Sequence, residues 1–113
     1  MDALQTLMII EDLENFLERR RPPEHIRDQV DIGYRIDNQS IVIYEIRPEW
    51  ENPSVIQESP FAKATYVKSK NFWKVFWMKS DLKWHSYRAL PAVRTVREFL
   101  AAVEADPYGC FWG

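Results

Sequence analysis

Leu4, Leu7, Ile10, Leu13, Phe16 and Leu17 recur at three- and four-residue steps, the spacing of one helix face. Acidic residues come early in this stretch (Asp2, Glu11, Asp12) and Arg19, Arg20 and Arg21 come last, an order that suits the helix dipole. Pro22-Pro23 forbids continuation, so a first helix is predicted over about residues 3 to 20. From Gln29 the period drops to two: Val30, Ile32, Tyr34 and Ile36 share one face, Asp31, Gly33 and Arg35 the other. Asp37-Asn38-Gln39 reads as a turn and Ser40 to Arg47 as the return strand, with Val42, Tyr44 and Ile46 on the matching apolar face.

Pro48, Asn52, Pro53, Ser54 and Pro60 then mark a loop of about a dozen residues, a length at which loops are often functional. Ala62 to Lys68 and Phe72 to Met78 form a second hairpin around Ser69-Lys70-Asn71, followed by a short strand from Lys83 to Arg88. Phe72, Trp73, Val75, Phe76, Trp77 and Met78 load both faces of the fourth strand, the mark of a central strand covered on both sides. Thr95-Val96-Arg97-Glu98 is a capping box opening a second helix that runs to about Asp106 before Pro107, with Val96, Phe99, Leu100 and Val103 inward. The tail from Tyr108 through Cys110, Phe111 and Trp112 to Gly113 is too apolar to be solvated and is expected to pack back on the sheet. The predicted architecture is α+β in the order α-β-β-β-β-β-α, a mostly antiparallel sheet with two helices on one face.

With 113 residues, one domain over 1–113 is expected. Cys110 is the only cysteine, which excludes an internal disulfide and a cysteine-based zinc site and fits a reducing compartment. No apolar run reaches the roughly 20 residues of a membrane helix, and Met1-Asp2-Ala3 does not open a signal peptide, so a cytoplasmic protein with no membrane partner is expected. The net charge of -2 hides an asymmetry. Residues 1 to 62 carry six basic and thirteen acidic side chains, whereas 62 to 88 carry seven basic ones against Asp81 alone.

Several motifs spread along nearly the whole chain carry a resemblance: Arg20-Arg21-Pro22-Pro23, Ile26-Arg27-Asp28, Gly33-Tyr34-Arg35, Glu45-Ile46-Arg47-Pro48 with Trp50, Ala62-Lys63-Ala64-Thr65-Tyr66-Val67-Lys68, Asp81-Leu82-Lys83-Trp84-His85 with Tyr87, and Tyr108-Gly109-Cys110-Phe111. Together they resemble a family of small bacterial proteins known as a domain of unknown function. The resemblance brings no activity, cofactor or catalytic residue; it singles out the polar groups inside those motifs.

The basic island suggests the first candidate surface. Lys63, Lys68, Lys70, Lys74, Lys79, Lys83 and Arg88 suit phosphates, and Trp73, Trp77, Trp84 and Tyr87 offer stacking faces worth about 1 to 3 kcal/mol per base. If the helices cover Phe72 and Phe76, then Trp73 and Trp77 lie beside Lys63 and Thr65 on an open face as a platform for nucleic acid or another polyanion. The alternative makes these tryptophans core and the lysines solvated edge charges. Arg20, Arg21 and Arg27 would join a phosphate-binding rim if they lie beside the lysine hairpin, and His85 shares a strand face with Lys83 and Tyr87. An aromatic face buried between protein partners, or between two copies of the chain, is a further expectation.

A second constellation is Asp31, Arg35, Glu45 and Arg47. With a three-residue hairpin turn Asp31 faces Glu45, and an acid opposite Glu-x-basic is similar to the metal site of restriction-endonuclease-like nucleases. Arginine in place of lysine, a proline-rich loop in place of the following helix and the acidic surroundings favour an ordinary cross-strand charge network instead. His25 and His85 have no metal-ligand spacing, the three glycines form no phosphate loop, and Cys110 reads as a small buried hydrophobe. No cofactor, resident metal or catalytic residue is expected.

Overall fold

The computed structural model describes residues 1–112; Gly113, the end of the apolar tail, lies outside them. The Asp2 carboxylate accepts the Gln5 N–H at 2.7 Å and starts α1, Ala3–Arg20, which ends where Pro22 forbids a further turn. A short 3-10 turn, Glu24–Ile26, leads into β1 (Asp31–Asp37), β2 (Ser40–Pro48), β3 (Ile56–Val67), β4 (Phe72–Met78), β5 (Trp84–Ser86), the two-residue β6 (Ala92–Val93) and α2 (Val96–Ala105). Every pairing is antiparallel, in the order β1-β2-β3-β4-β5, and β6 pairs with the part of β4 that β5 leaves free. The fold is thus α+β with two helices, as the periodicity predicts.

Both hairpins turn one residue away from the expected register. Asp37 pairs with Ser40, so the first turn has two residues, Asn38 and Gln39, with Asn38 at φ 56°, a conformation asparagine tolerates. Val67 pairs with Phe72, so the second loop has four, closed by Asn71 at φ 53°. The proline-rich segment is also shorter as a loop than expected, because Ile56 to Pro60 pair with Pro48 to Tyr44 and lengthen β3 to 12 residues. Pro60 is tolerated there because the ladder shifts between Ile43 and Tyr44, which leaves Phe61 as an extra residue in the manner of a β-bulge.

Register decides which residues meet the helices. Ile41, Ile43, Ala62, Ala64, Trp73, Val75, Tyr87 and Val93 form one buried layer with Ile9, Leu13 and Phe16 of α1 and Val96, Phe99, Leu100 and Val103 of α2. Ala62 and Ala64, fully buried and small, let the helices approach the middle of the sheet. On the first hairpin the helix-side residues of β2 are therefore Ile41 and Ile43, and the expected set of Val42, Tyr44 and Ile46 faces the other way. The Tyr34 hydroxyl donates to Glu14 Oε1 at 3.0 Å and ties β1 to α1; burial and this acid push its pKa up to about 12.

The tail docks as its composition predicts, except at Tyr108, which is 72% exposed. Asp106, the left-handed cap of α2 at φ 35°, accepts the Phe111 N–H on Oδ1 at 3.1 Å and the Trp112 N–H on Oδ2 at 2.8 Å. Phe111 is buried against Tyr87, ring centres 4.8 Å apart, and the Trp112 indole donates to the Val103 carbonyl at 2.7 Å.

Candidate functional site

Two surfaces flank the β4–β5 ribbon. The first is the sheet face that no helix covers. Across it Arg35, Val42, Lys63, Phe76 and Ser86 are successive cross-strand partners, and Asp37, Ser40, Thr65, Lys74 and Ala92 form the next row. Trp84 pairs with Met78 beside them. The Lys63 ammonium lies 5.1 Å from the centre of the Phe76 ring and 5.2 Å from Trp84, so one cation rests on two aromatic faces. Arg35 covers Tyr44 at 5.5 Å and stands 3.9 Å from Glu58, and Asp37 lies two residues from Arg35 on the same face. Phe72, Lys74, Phe76 and Pro91 line a shallow apolar depression of about 330 Å³.

This corrects the expected platform. Trp73 and Trp77 belong to the helix side: Trp73 is 3% exposed and pairs with Tyr66, and Trp77 packs half-buried against the core. Lys63 faces Phe76 and Thr65 faces Lys74, so the aromatic groups beside the lysines are Phe76 and Trp84. Phe76 is missed by a reading that follows tryptophan; its signal is that it lies two residues from Lys74 on the same strand face. Lys68 and Lys83 are exposed in the loops at either end of β4.

The second surface is a cleft of about 590 Å³ where β4 and β5 meet the tail, lined by Trp77, Lys79, His85, Tyr87, Arg88, Tyr108, Cys110 and two small residues. Lys79 lies 5.2 Å over the Trp77 ring. His85 Nε2 and Asp81 Oδ2 are 2.8 Å apart, and this contact, with the Lys83 N–H, holds the Asp81 carboxyl below the usual carboxylate range. Burial, then Asp106, pushes the Cys110 thiol up, so it is an uncharged wall rather than a nucleophile. His85 and Tyr87 do share this cleft, as their spacing suggests, whereas Lys83 does not line it.

The arginines before and after Pro22 do not join either surface. Arg20 sits 4.9 Å over the Trp112 ring, Arg27 donates to the Pro22 carbonyl at 2.9 Å, and Arg21 grips Asp31 through Nε at 2.9 Å and Nη2 at 2.7 Å. That grip, joined by the Ile32 N–H, holds the Asp31 carboxyl below its ordinary range. The expected pair of Asp31 and Glu45 is not formed: Asp31 stands opposite Ile46 and Glu45 opposite Ile32, on alternate faces of the ribbon. Nor is there one cross-strand network, since Arg35 pairs with Glu58 and Arg47 with Glu45. Among the described residues no three His, Cys, Asp or Glu side chains gather as metal ligands, and no helix is long and apolar enough to cross a membrane.

The fold and its two surfaces define a small α+β protein with one uncovered, basic and aromatic sheet face. The chain belongs, over residues 1–113, to the family described as a domain of unknown function, DUF3024. No curated protein and no solved structure matches it.

Proposed function

We propose that this protein is a non-enzymatic binding module whose uncovered sheet face takes single-stranded nucleic acid or another extended polyanion. The observation that carries this reading is Lys63 laid across Phe76 and Trp84, with Lys74 and Arg35 on the same face. A base that stacks on Trp84 displaces the ammonium from the ring toward the adjoining phosphate, so one lysine serves the free and the bound state. Sheet-face residues are spaced by about 7 Å along a strand and about 5 Å between strands, which suits an extended strand of stacked bases.

Fluorescence anisotropy of short labelled single-stranded DNA and RNA, in about 50 and about 200 mM salt, tests it. Three phosphate contacts give a slope of log affinity on log salt of about -2. Trp84→Ala is expected to cost about 1 to 3 kcal/mol and Lys63→Glu to weaken binding and flatten the slope. No binding at the lower salt, or affinity indifferent to salt, overturns the proposal.

One observation favours a second reading, self-association. Leu4, Leu7 and Met8 on α1 are 69%, 64% and 60% exposed, an apolar patch apart from the buried Ile9, Leu13 and Phe16 of the same helix. Trp73, expected to anchor such an interface, is buried within the chain and cannot do so. Sedimentation velocity over a wide range of protein concentration decides: a dimer lost in Leu7→Lys supports this reading, and a monomer throughout ends it.

A further inference from the structure

The cleft on the far side of β5 is chemically unlike its surroundings. The chain carries 17 acidic residues, yet none of the residues lining this cleft is acidic. Lys79 and Arg88 both line it, and neither forms an ion pair among the described residues. His85 has Asp81 on Nε2, which fixes the ring and leaves Nδ1 without a protein partner among the described residues. Trp77 supplies an aromatic wall with one side packed on the core, and Tyr108 supplies a second, exposed one from the tail. The volume of about 590 Å³ is that of a small-molecule site rather than a crevice for one ion.

We infer that this cleft is a binding site for a ligand that joins a planar heterocycle to a phosphate, the chemistry of a nucleoside monophosphate. Arg88 and Lys79 take the phosphate; neither is in ion-pair contact with a carboxylate, although Asp81 is near enough to Lys79 to feel its charge, and such cations suit a phosphate. The heterocycle displaces the Lys79 ammonium from the Trp77 ring toward the phosphate and lies between Trp77 and Tyr108, where stacking favours a flat ring over an aliphatic group. A phosphate without the ring leaves the aromatic walls wet, and a nucleoside without the phosphate leaves both cations unmatched, so each half binds worse than the whole. The ligand has two possible sources, a free mononucleotide or the phosphorylated end of a strand. The inference rests on the cleft alone and not on the sheet-face proposal.

Titration of the isotope-labelled protein with adenosine monophosphate and uridine monophosphate, followed by two-dimensional NMR, reads both surfaces at once. The expected result is saturable movement of the Trp77 indole and of the Lys79, Arg88 and Tyr108 amides. Adenosine alone and inorganic phosphate alone should bind at least about tenfold more weakly. Arg88→Ala, at an exposed position where the fold tolerates truncation, should lower affinity about tenfold or more, while Arg94→Glu, which lines neither the cleft nor the depression beside Phe76, leaves it unchanged. Oligonucleotides with and without a 5′-phosphate separate the sources: a large preference for the phosphorylated end identifies a strand terminus, and equal binding with a saturable mononucleotide site identifies the free nucleotide. No movement at about 5 mM nucleotide overturns the inference, as does binding confined to Trp84 and Lys63, or phosphate alone binding as well as the nucleotide.

Discussion

Asp106→Ala should undock the C-terminal tail while leaving the rest of the fold in place. The Asp106 carboxylate is the acceptor for two tail amides, Phe111 at 3.1 Å and Trp112 at 2.8 Å, and hydrogen bonds to a charged group contribute about 1.5 to 3 kcal/mol each. The backbone there is left-handed, φ 35°, where alanine costs about 1 to 2 kcal/mol and aspartate is tolerated. Against these stands the ordering of Pro107 to Trp112, roughly 1 to 2 kcal/mol per residue. Burial of Phe111 and the partial burial of Trp112 return about 4 to 5 kcal/mol, and the indole bond to Val103 with the Arg20 contact returns about 2 more. Side-chain contacts alone match only the lowest value of the ordering cost and fall short of the rest of its range, a difference of the size the two carboxylate bonds supply.

Amide hydrogen exchange measures this directly. In the parent the Phe111 and Trp112 amides should be protected; in Asp106→Ala they should exchange near the rate of an open chain, with Phe99 and Leu100 in α2 unaffected. Asp106→Asn, which keeps an acceptor oxygen and tolerates the left-handed backbone, should fall between. Labelling of Cys110, the only thiol, should speed up in step, since the tail carries it away from the cleft wall. Unchanged protection of Phe111 in Asp106→Ala would refute the reasoning and assign the docking to the aromatic side chains.

Two further outcomes concern the first hairpin. Asp31→Asn should cost about 1.5 to 3 kcal/mol in urea unfolding at neutral pH, and because the folded pKa of Asp31 lies below the unfolded value of about 4, that cost should shrink as acid protonates the parent carboxylate. An equal deficit at pH about 7 and pH about 2.5 would show that shape, not the Arg21 ion pair, is responsible. Gly33→Ala should destabilise by about 1 kcal/mol, since a Cβ there meets the Tyr44 ring at 3.0 Å and must push it from beneath Arg35; a gain in stability would contradict that placement.

The helices were legible because their signals are local and redundant. Leu13 and Phe16 lie on an apolar stripe bounded by Asp2 and Pro22, and α2 has its own cap in Thr95, whose hydroxyl receives the Glu98 N–H at 3.2 Å. Order and direction of the strands followed from turn residues between alternating segments. The exception was Ile56 to Pro60, where proline argues against a strand and only the bulge opposite Tyr44 makes room for it. The cleft was legible in part: His85 and Tyr87 were recognisable as neighbours on one face of the strand predicted from Lys83 to Arg88, but Lys79, Arg88 and Tyr108 reach it through turns and the returning tail, contacts that no periodicity records.

The two misplaced sites share one cause. A three-residue first turn sets Asp31 against Glu45; the actual two-residue turn sets it against Ile46, which separates the two acids onto opposite faces and leaves Asp31 to Arg21. A three-residue second turn sets Lys63 against Trp77; the actual four-residue loop sets it against Phe76, which sends Trp73 and Trp77 to the core and keeps the lysine on the uncovered side. Because alternation has a period of two, a single residue of turn length exchanges the entire content of two faces. Asn38 and Asn71, the residues that absorb positive φ, are therefore as decisive for where this protein's chemistry sits as any charged group on the sheet. With β4 held in place, changing the second loop by one residue would have to move Lys63 to the helix side, where burying its ammonium costs several kcal/mol, so the core itself enforces the register that builds the open face.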